Sequence, residues 1–63
     1  MPIVQITLVE GRDEALIEEC SREVAQTVSR TLQAPLETVR VMVSEVKPNY
    51  FAVGARLKSD KPD

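Results

Sequence analysis

Residues 1–9, MPIVQITLV, set the architecture of the whole chain. Val4, Ile6 and Leu8 alternate there with a mixed set of polar and apolar side chains. Successive side chains of a strand point to opposite faces of a sheet. The alternation therefore predicts a β-strand over residues 3–9 whose even-numbered face meets a core.

A long amphipathic helix is predicted after the glycine turn at Glu10-Gly11. Asp13 suits the N-cap position, and the helix should run from about Glu14 to about Gln33, before Ala34-Pro35 ends it. Its apolar residues recur at spacings of three and four and form one stripe, made of Leu16, Ile17, Cys20, Val24, Val28 and Leu32. Cys20 is interpreted as a small core residue of this stripe.

A second strand is predicted over residues 39–46, which are rich in β-branched side chains and carry Arg40 on the face opposite the valines. A strand, a helix and a strand in this order indicate a βαβ unit with two parallel strands. Residues 50–57, punctuated by Gly54, predict a short C-terminal hairpin, and residues 58–63 are expected to be loose. The predicted fold class is therefore α/β, in a single domain over residues 1–63.

The small size of the chain predicts an oligomer. A 63-residue chain hides only about 60% of the surface that its unfolded form exposes. A single cysteine excludes an internal disulfide, so partner subunits are the remaining source of stability. One helix covers one face of a two-stranded sheet, and the uncovered face would carry Ile3, Val9, Met42 and Val46. We expect other subunits to cover that face.

The composition argues against several classes of function. Ten carboxylates face eight basic residues, and no basic stripe with interleaved aromatic residues indicates nucleic-acid binding. No apolar run is long enough for a membrane span, and no signal-peptide pattern is present. The chain has no histidine to join its single cysteine, so neither a cysteine–histidine metal site nor a cysteine–histidine dyad is predicted. One unpaired cysteine fits a soluble, cytoplasmic protein.

Four residues could supply chemistry. Removal of Met1 would leave Pro2 with a free secondary amine, and the pKa of a chain-terminal amine is ordinarily about 8, so it can act as a base near neutral pH. Arg12 follows the glycine turn, Arg40 lies in a strand of valines, and Phe51 is one of two aromatic residues. The alternatives are an intersubunit ion pair for Arg40, with Glu45 or Glu10, a solvated loop charge for Arg12, and core packing for Phe51.

The chain resembles the 4-oxalocrotonate tautomerase family, the small-subunit branch of the tautomerase superfamily, over nearly its whole length. The matching segments are PIVQI at 2–6, LVEGR at 8–12, REV at 22–24, APL at 34–36, VRV at 39–41 and FAVG at 51–54. The combined spacing of a proline at position 2, two arginines and a late phenylalanine makes the resemblance specific.

The resemblance implies a homohexamer, a trimer of dimers, that acts without a cofactor as a keto–enol isomerase on 2-hydroxymuconate-like dicarboxylates in aromatic hydrocarbon catabolism. Pro2 would be the general base. Arg40, from a neighbouring subunit, would bind the 2-oxo end of the substrate and stabilise its developing charge. Arg12 would bind the remote carboxylate, and Phe51 and Ile3 would contact the substrate.

Two other functions stay open at this point. One is a superfamily reaction of another kind, either hydration or dehalogenation of an unsaturated acid or a tautomerisation in a biosynthetic pathway. The other is a non-catalytic assembly module, in which the arginines only hold subunits together.

Overall fold

The computed structural model describes residues 1–61 and confirms the predicted βαβ unit with a terminal hairpin. Two 3₁₀ turns, Leu36–Thr38 and Pro48–Tyr50, flank the second strand. The regular elements in chain order are β1 (Ile3–Val9), α1 (Glu14–Leu32), β2 (Arg40–Val46), β3 (Ala52–Val53) and β4 (Arg56–Leu57). Within the described part of the chain, no helix is long and apolar enough to cross a membrane.

Strands β1 and β2 pair in parallel over their full lengths. The register runs from Ile3 opposite Arg40 to Val9 opposite Val46. Two backbone hydrogen bonds continue the ladder beyond its ends: the Arg40 N–H donates to the Pro2 carbonyl at 3.0 Å, and the Glu10 N–H donates to the Val46 carbonyl at 2.9 Å. The pairing therefore holds Pro2 before β1 and Glu10 after it, as well as the strand itself.

The helix begins where the sequence predicts but without the predicted side-chain cap. Asp13 has an extended backbone, and its carbonyl accepts from the Leu16 N–H at 3.0 Å, yet its side chain makes no capping hydrogen bond. At the other end Gln33 adopts the left-handed conformation, with φ 54° and ψ 44°. The Ser29 hydroxyl donates to the Ala34 carbonyl at 2.6 Å and ties the chain down beyond this C-cap.

The helix face that packs on the sheet is narrower than the predicted apolar stripe. Its half-buried residues include Ile17, Ser21, Val24, Ala25 and Val28. Leu16, Leu32 and Cys20 are exposed, so the interpretation of Cys20 as a core residue is wrong for the single chain. Cys20 lies about 60° and Leu16 about 100° around the helix axis from Ile17. A two-stranded sheet is too narrow to cover that arc.

The chain does not close a core of its own. None of residues 1–61 is fully buried, and the radius of gyration is 15.2 Å against about 11 Å for a compact chain of this length. The accessible surface of 5185 Å² exceeds the value for a compact monomer of this mass by about 1,100 Å². On the predicted open face, Ile3 and Met42 are 64% and 49% exposed, whereas Val9 and Val46 are half-buried.

The C-terminal hairpin is short and tightly turned. Gly54 has φ 62° at the first of the two loop residues, the position that a type II′ turn gives to glycine. Residues 58–60 are not loose as expected, because the Asp60 N–H donates to the Leu57 carbonyl at 3.0 Å while its side chain accepts from the Leu57 N–H at 2.8 Å. The expectation for residues 62–63 lies outside the described residues.

Candidate active site

Pro2 is held at the head of the parallel pair. Its carbonyl accepts the Arg40 N–H at 3.0 Å, and the next residue, Ile3, stands opposite Arg40 in the register. Pro2 is half-buried, like Val4, whereas Ile3 is exposed. The alternation of the strand thus places Pro2 on the side that the helix covers and Ile3 on the open face.

The Arg40 side chain lies on the open face beside Ile3, because aligned residues of parallel strands share a face. One guanidinium N–H donates to the Glu37 carbonyl at 2.8 Å. A guanidinium carries five N–H donors, so most of its donors are free for an anion. Within residues 1–61 the ion pairs are those of Arg22 with Glu18 and Glu19, so Arg40 pairs with no carboxylate among the described residues. An intersubunit pair for Arg40 stays a prediction.

Arg12 lies at the opposite end of the sheet from Pro2. It follows Gly11, whose φ of 138° turns the chain away after β1. The seven residues of β1 separate the two ends by about 20 Å. One chain therefore cannot bring Arg12 and Pro2 to the same small substrate.

Phe51 lies at the base of the hairpin and is 43% exposed, so this chain does not pack it into a core. It borders a pocket of about 360 Å³ on the hairpin. The lining residues of this pocket are Phe51, Val53, Arg56, Leu57, Lys58 and Asp60. Neither Pro2 nor the two predicted arginines reach it, so the single chain leaves the predicted site residues in separate places.

The hairpin pocket contains two cations that the sequence reasoning missed, Arg56 and Lys58. The signal was available in the two-residue loop Gly54-Ala55, because a loop of that length sets which residues face each other across the hairpin. No group of three or more histidine, cysteine, aspartate or glutamate side chains that could hold a metal ion occurs among the described residues.

Comparison with known proteins identifies the family. The sequence model of the tautomerase enzyme family matches residues 2–61. A 2-hydroxymuconate tautomerase of Pseudomonas putida is 44% identical over 59 residues, which cover 94% of each chain. The solved structure of a 4-oxalocrotonate tautomerase homologue, 38% identical, superposes with a TM-score of 0.90 over 100% of both chains. A heterohexamer 4-oxalocrotonate tautomerase from Chloroflexus aurantiacus J-10-fl, 28% identical, gives a TM-score of 0.89 over 95% of this chain and 97% of that one.

The βαβ fold with its terminal hairpin and the nearly full-length similarity to tautomerases show that the chain is an enzyme of the isomerase class. The chain belongs to the tautomerase enzyme family. The predicted resemblance, fold class and enzyme class are thereby confirmed.

Proposed function

We propose that this enzyme is a cofactor-independent keto–enol tautomerase that converts 2-hydroxymuconate-like dienols to their conjugated 2-oxo isomers through the amine of Pro2. The observation that carries the proposal is the anchoring of Pro2 at the head of β1 by the 3.0 Å hydrogen bond from Arg40. A base must be held still to transfer a proton efficiently. The 2-hydroxymuconate tautomerases among the relatives support this substrate class.

The reaction needs one group that accepts a proton and returns it elsewhere. The neutral Pro2 amine takes the proton of the enol hydroxyl, and the resulting protonated amine delivers a proton to carbon as the C=O bond forms. Such a group works best when its pKa is near the operating pH. In the proposed assembly, the half-buried position of Pro2 and a guanidinium from a neighbouring subunit both disfavour the protonated amine, which lowers its pKa and keeps it available as a base.

The two arginines divide the substrate between them. Arg40 binds the 2-oxo end and stabilises negative charge as it develops on oxygen. Arg12 binds the remote carboxylate, for which a bidentate guanidinium is well shaped. Ile3 and Phe51 supply apolar contact to the substrate.

Both arginines come from neighbouring subunits in this proposal. Arg12 of the same chain lies about 20 Å from Pro2. The side chain of the chain's own Arg40 lies on the open face of the sheet, whereas Pro2 lies on the face that the helix covers. The excess exposed surface, about 1,100 Å², is comparable with the 800 Å² that one partner contributes to a standard interface. These features and the heterohexameric neighbour support an oligomeric enzyme, and we propose a homohexamer, a trimer of dimers.

Removal of Met1 is a condition of the mechanism. While Met1 is attached, the Pro2 nitrogen is an amide and cannot accept a proton. Met1 is 79% exposed, so the residue to be removed is accessible in the free chain.

The test combines intact mass with activity. We expect purified protein to lack Met1 and to ketonise 2-hydroxymuconate, as followed by loss of the dienol absorbance. Pro2→Ala should lower kcat by about 10²-fold, in the range typical for a misplaced general base. Processed wild-type protein that leaves 2-hydroxymuconate unchanged, or a Pro2→Ala variant as active as wild type, would contradict the proposal.

A further inference from the structure

One face of the hairpin joins two apolar side chains to two cations. Val53 stands opposite Arg56 in the β3–β4 register. The Lys58 N–H donates to the Phe51 carbonyl at 2.8 Å, so Phe51 and Lys58 also face each other, two positions along the hairpin from the Val53–Arg56 pair. Opposed residues of an antiparallel pair share a face, and alternate pairs share the same one. Phe51, Val53, Arg56 and Lys58 therefore all lie on one face.

The carboxylates of residues 1–61 do not fully neutralise the positive charge of this face. Neither Arg56 nor Lys58 has a carboxylate within ion-pair distance among residues 1–61. Asp60 is the one acidic residue lining the pocket, and its carboxylate accepts the Leu57 N–H at 2.8 Å. That bond holds Asp60 to the backbone. The pocket keeps one net positive charge in a chain whose net charge is −2.

We propose that the hairpin face is a carboxylate-binding site that shares the remote carboxylate of the substrate with Arg12 and so selects dicarboxylates. The inference rests on the proposed function in the placing of Phe51 and Arg12 against the substrate. The Val53–Arg56 pair lies two residues beyond the Phe51–Lys58 pair, about 7 Å along the hairpin. With the ring of Phe51 against the apolar body of a six-carbon acid, Arg56 stands past the end of that body. Lys58 lies beside the ring.

Binding of a ligand that cannot react tests the site without any turnover. The probe is trans,trans-muconate, which has two carboxylates but no enol hydroxyl, and the matched probe is sorbate, which has the same carbon chain and one carboxylate. We expect Arg56→Gln and Lys58→Gln each to raise the Kd for muconate by about five- to tenfold relative to that for sorbate, as for one lost charge-assisted hydrogen bond. Arg30→Gln removes an exposed helical cation elsewhere and is the control.

The outcomes separate this inference from the proposed function. If both hairpin variants bind muconate as tightly as wild type, or if wild type prefers sorbate, the carboxylate site is refuted whatever the activity. If wild type lacks tautomerase activity but the muconate preference depends on Arg56 and Lys58, the proposed function fails and the site stands. In an active enzyme, Arg56→Gln should lower the kcat/KM for a dicarboxylate dienol relative to that for a monocarboxylate enol by the same factor.

Discussion

Mixing two inactive variants should restore activity if each active site draws on more than one chain. Pro2→Ala replaces the rigid secondary amine with a flexible, misplaced primary amine, and Arg12→Ala removes a cation that lies about 20 Å away in the same chain. In a randomly assembled 1:1 mixture, half of the Pro2 positions and half of the Arg12 positions are intact. When the two residues of a site come from different chains, about one quarter of the sites are complete.

The restored signal should stand well above the background. Loss of a group that transfers a proton costs about 10²-fold in kcat. Loss of a charge-assisted contact to the substrate costs about 10²-fold in kcat/KM, so at substrate concentrations well below KM each pure variant should retain about 1% of wild-type activity. The mixture should reach about 25%. The same arithmetic applies to Pro2→Ala mixed with Arg40→Ala, because the Arg40 side chain lies on the open face, away from Pro2 of its own chain.

The assay is ketonisation of 2-hydroxymuconate after the two variants are unfolded together and refolded, with native mass spectrometry to confirm mixed oligomers. A mixture that is combined without unfolding is the control and should stay at background. If mixed oligomers form but their activity equals the mean of the two parents, then each site takes both residues from one chain, and the reasoning from the strand length is refuted.

Two further predictions concern the helix end and the pH dependence. Gln33→Gly should raise the free energy of unfolding by about 0.5–1 kcal/mol, because glycine relieves the left-handed strain at this position but loses more chain entropy on folding. The measurement is denaturant titration at fixed protein concentration. Gln26→Gly, within the helix, is the control and should lower the free energy of unfolding by about 1 kcal/mol; equal effects at both positions would contradict the prediction. The kcat/KM should fall as the pH drops through the pKa of the Pro2 amine, because the protonated amine cannot accept the enol proton, and a flat profile between pH 5 and 8 would exclude that base.

The faces of the strands could be predicted from the sequence because they depend on local alternation. Val4 and Ile6 are half-buried and Gln5 is exposed, as a period of two requires. The register could not be predicted in the same way, since alternation is unchanged by a shift of two residues. The pairing of Ile3 with Arg40, which places Pro2 beside β2, therefore had to come from the structure.

Predictions that depended on how much of the helix the sheet covers were less accurate. Spacing identified Leu16 and Cys20 as apolar positions but could not show that a two-stranded sheet leaves both exposed. The ordered conformation of the segment around Asp60 could not be predicted either, because a polar sequence is typical of a loose tail. The structure shows that the Asp60 carboxylate accepts a hydrogen bond from the Leu57 backbone N–H. The separation of Arg12 from Pro2 follows from topology alone, since the two flank the same strand at opposite ends.

The incomplete core and the divided site have the same physical origin. A helix over two strands leaves Ile3 and Met42 on an uncovered face, and the same face carries Arg40. In the proposed assembly, the neighbouring chain that buries the apolar residues is therefore also the one that meets the guanidinium. Weakening this contact would remove a cation from the site at the same time as it lowers stability. Met42→Glu should thus make specific activity depend on protein concentration, because activity is regained only as subunits reassociate.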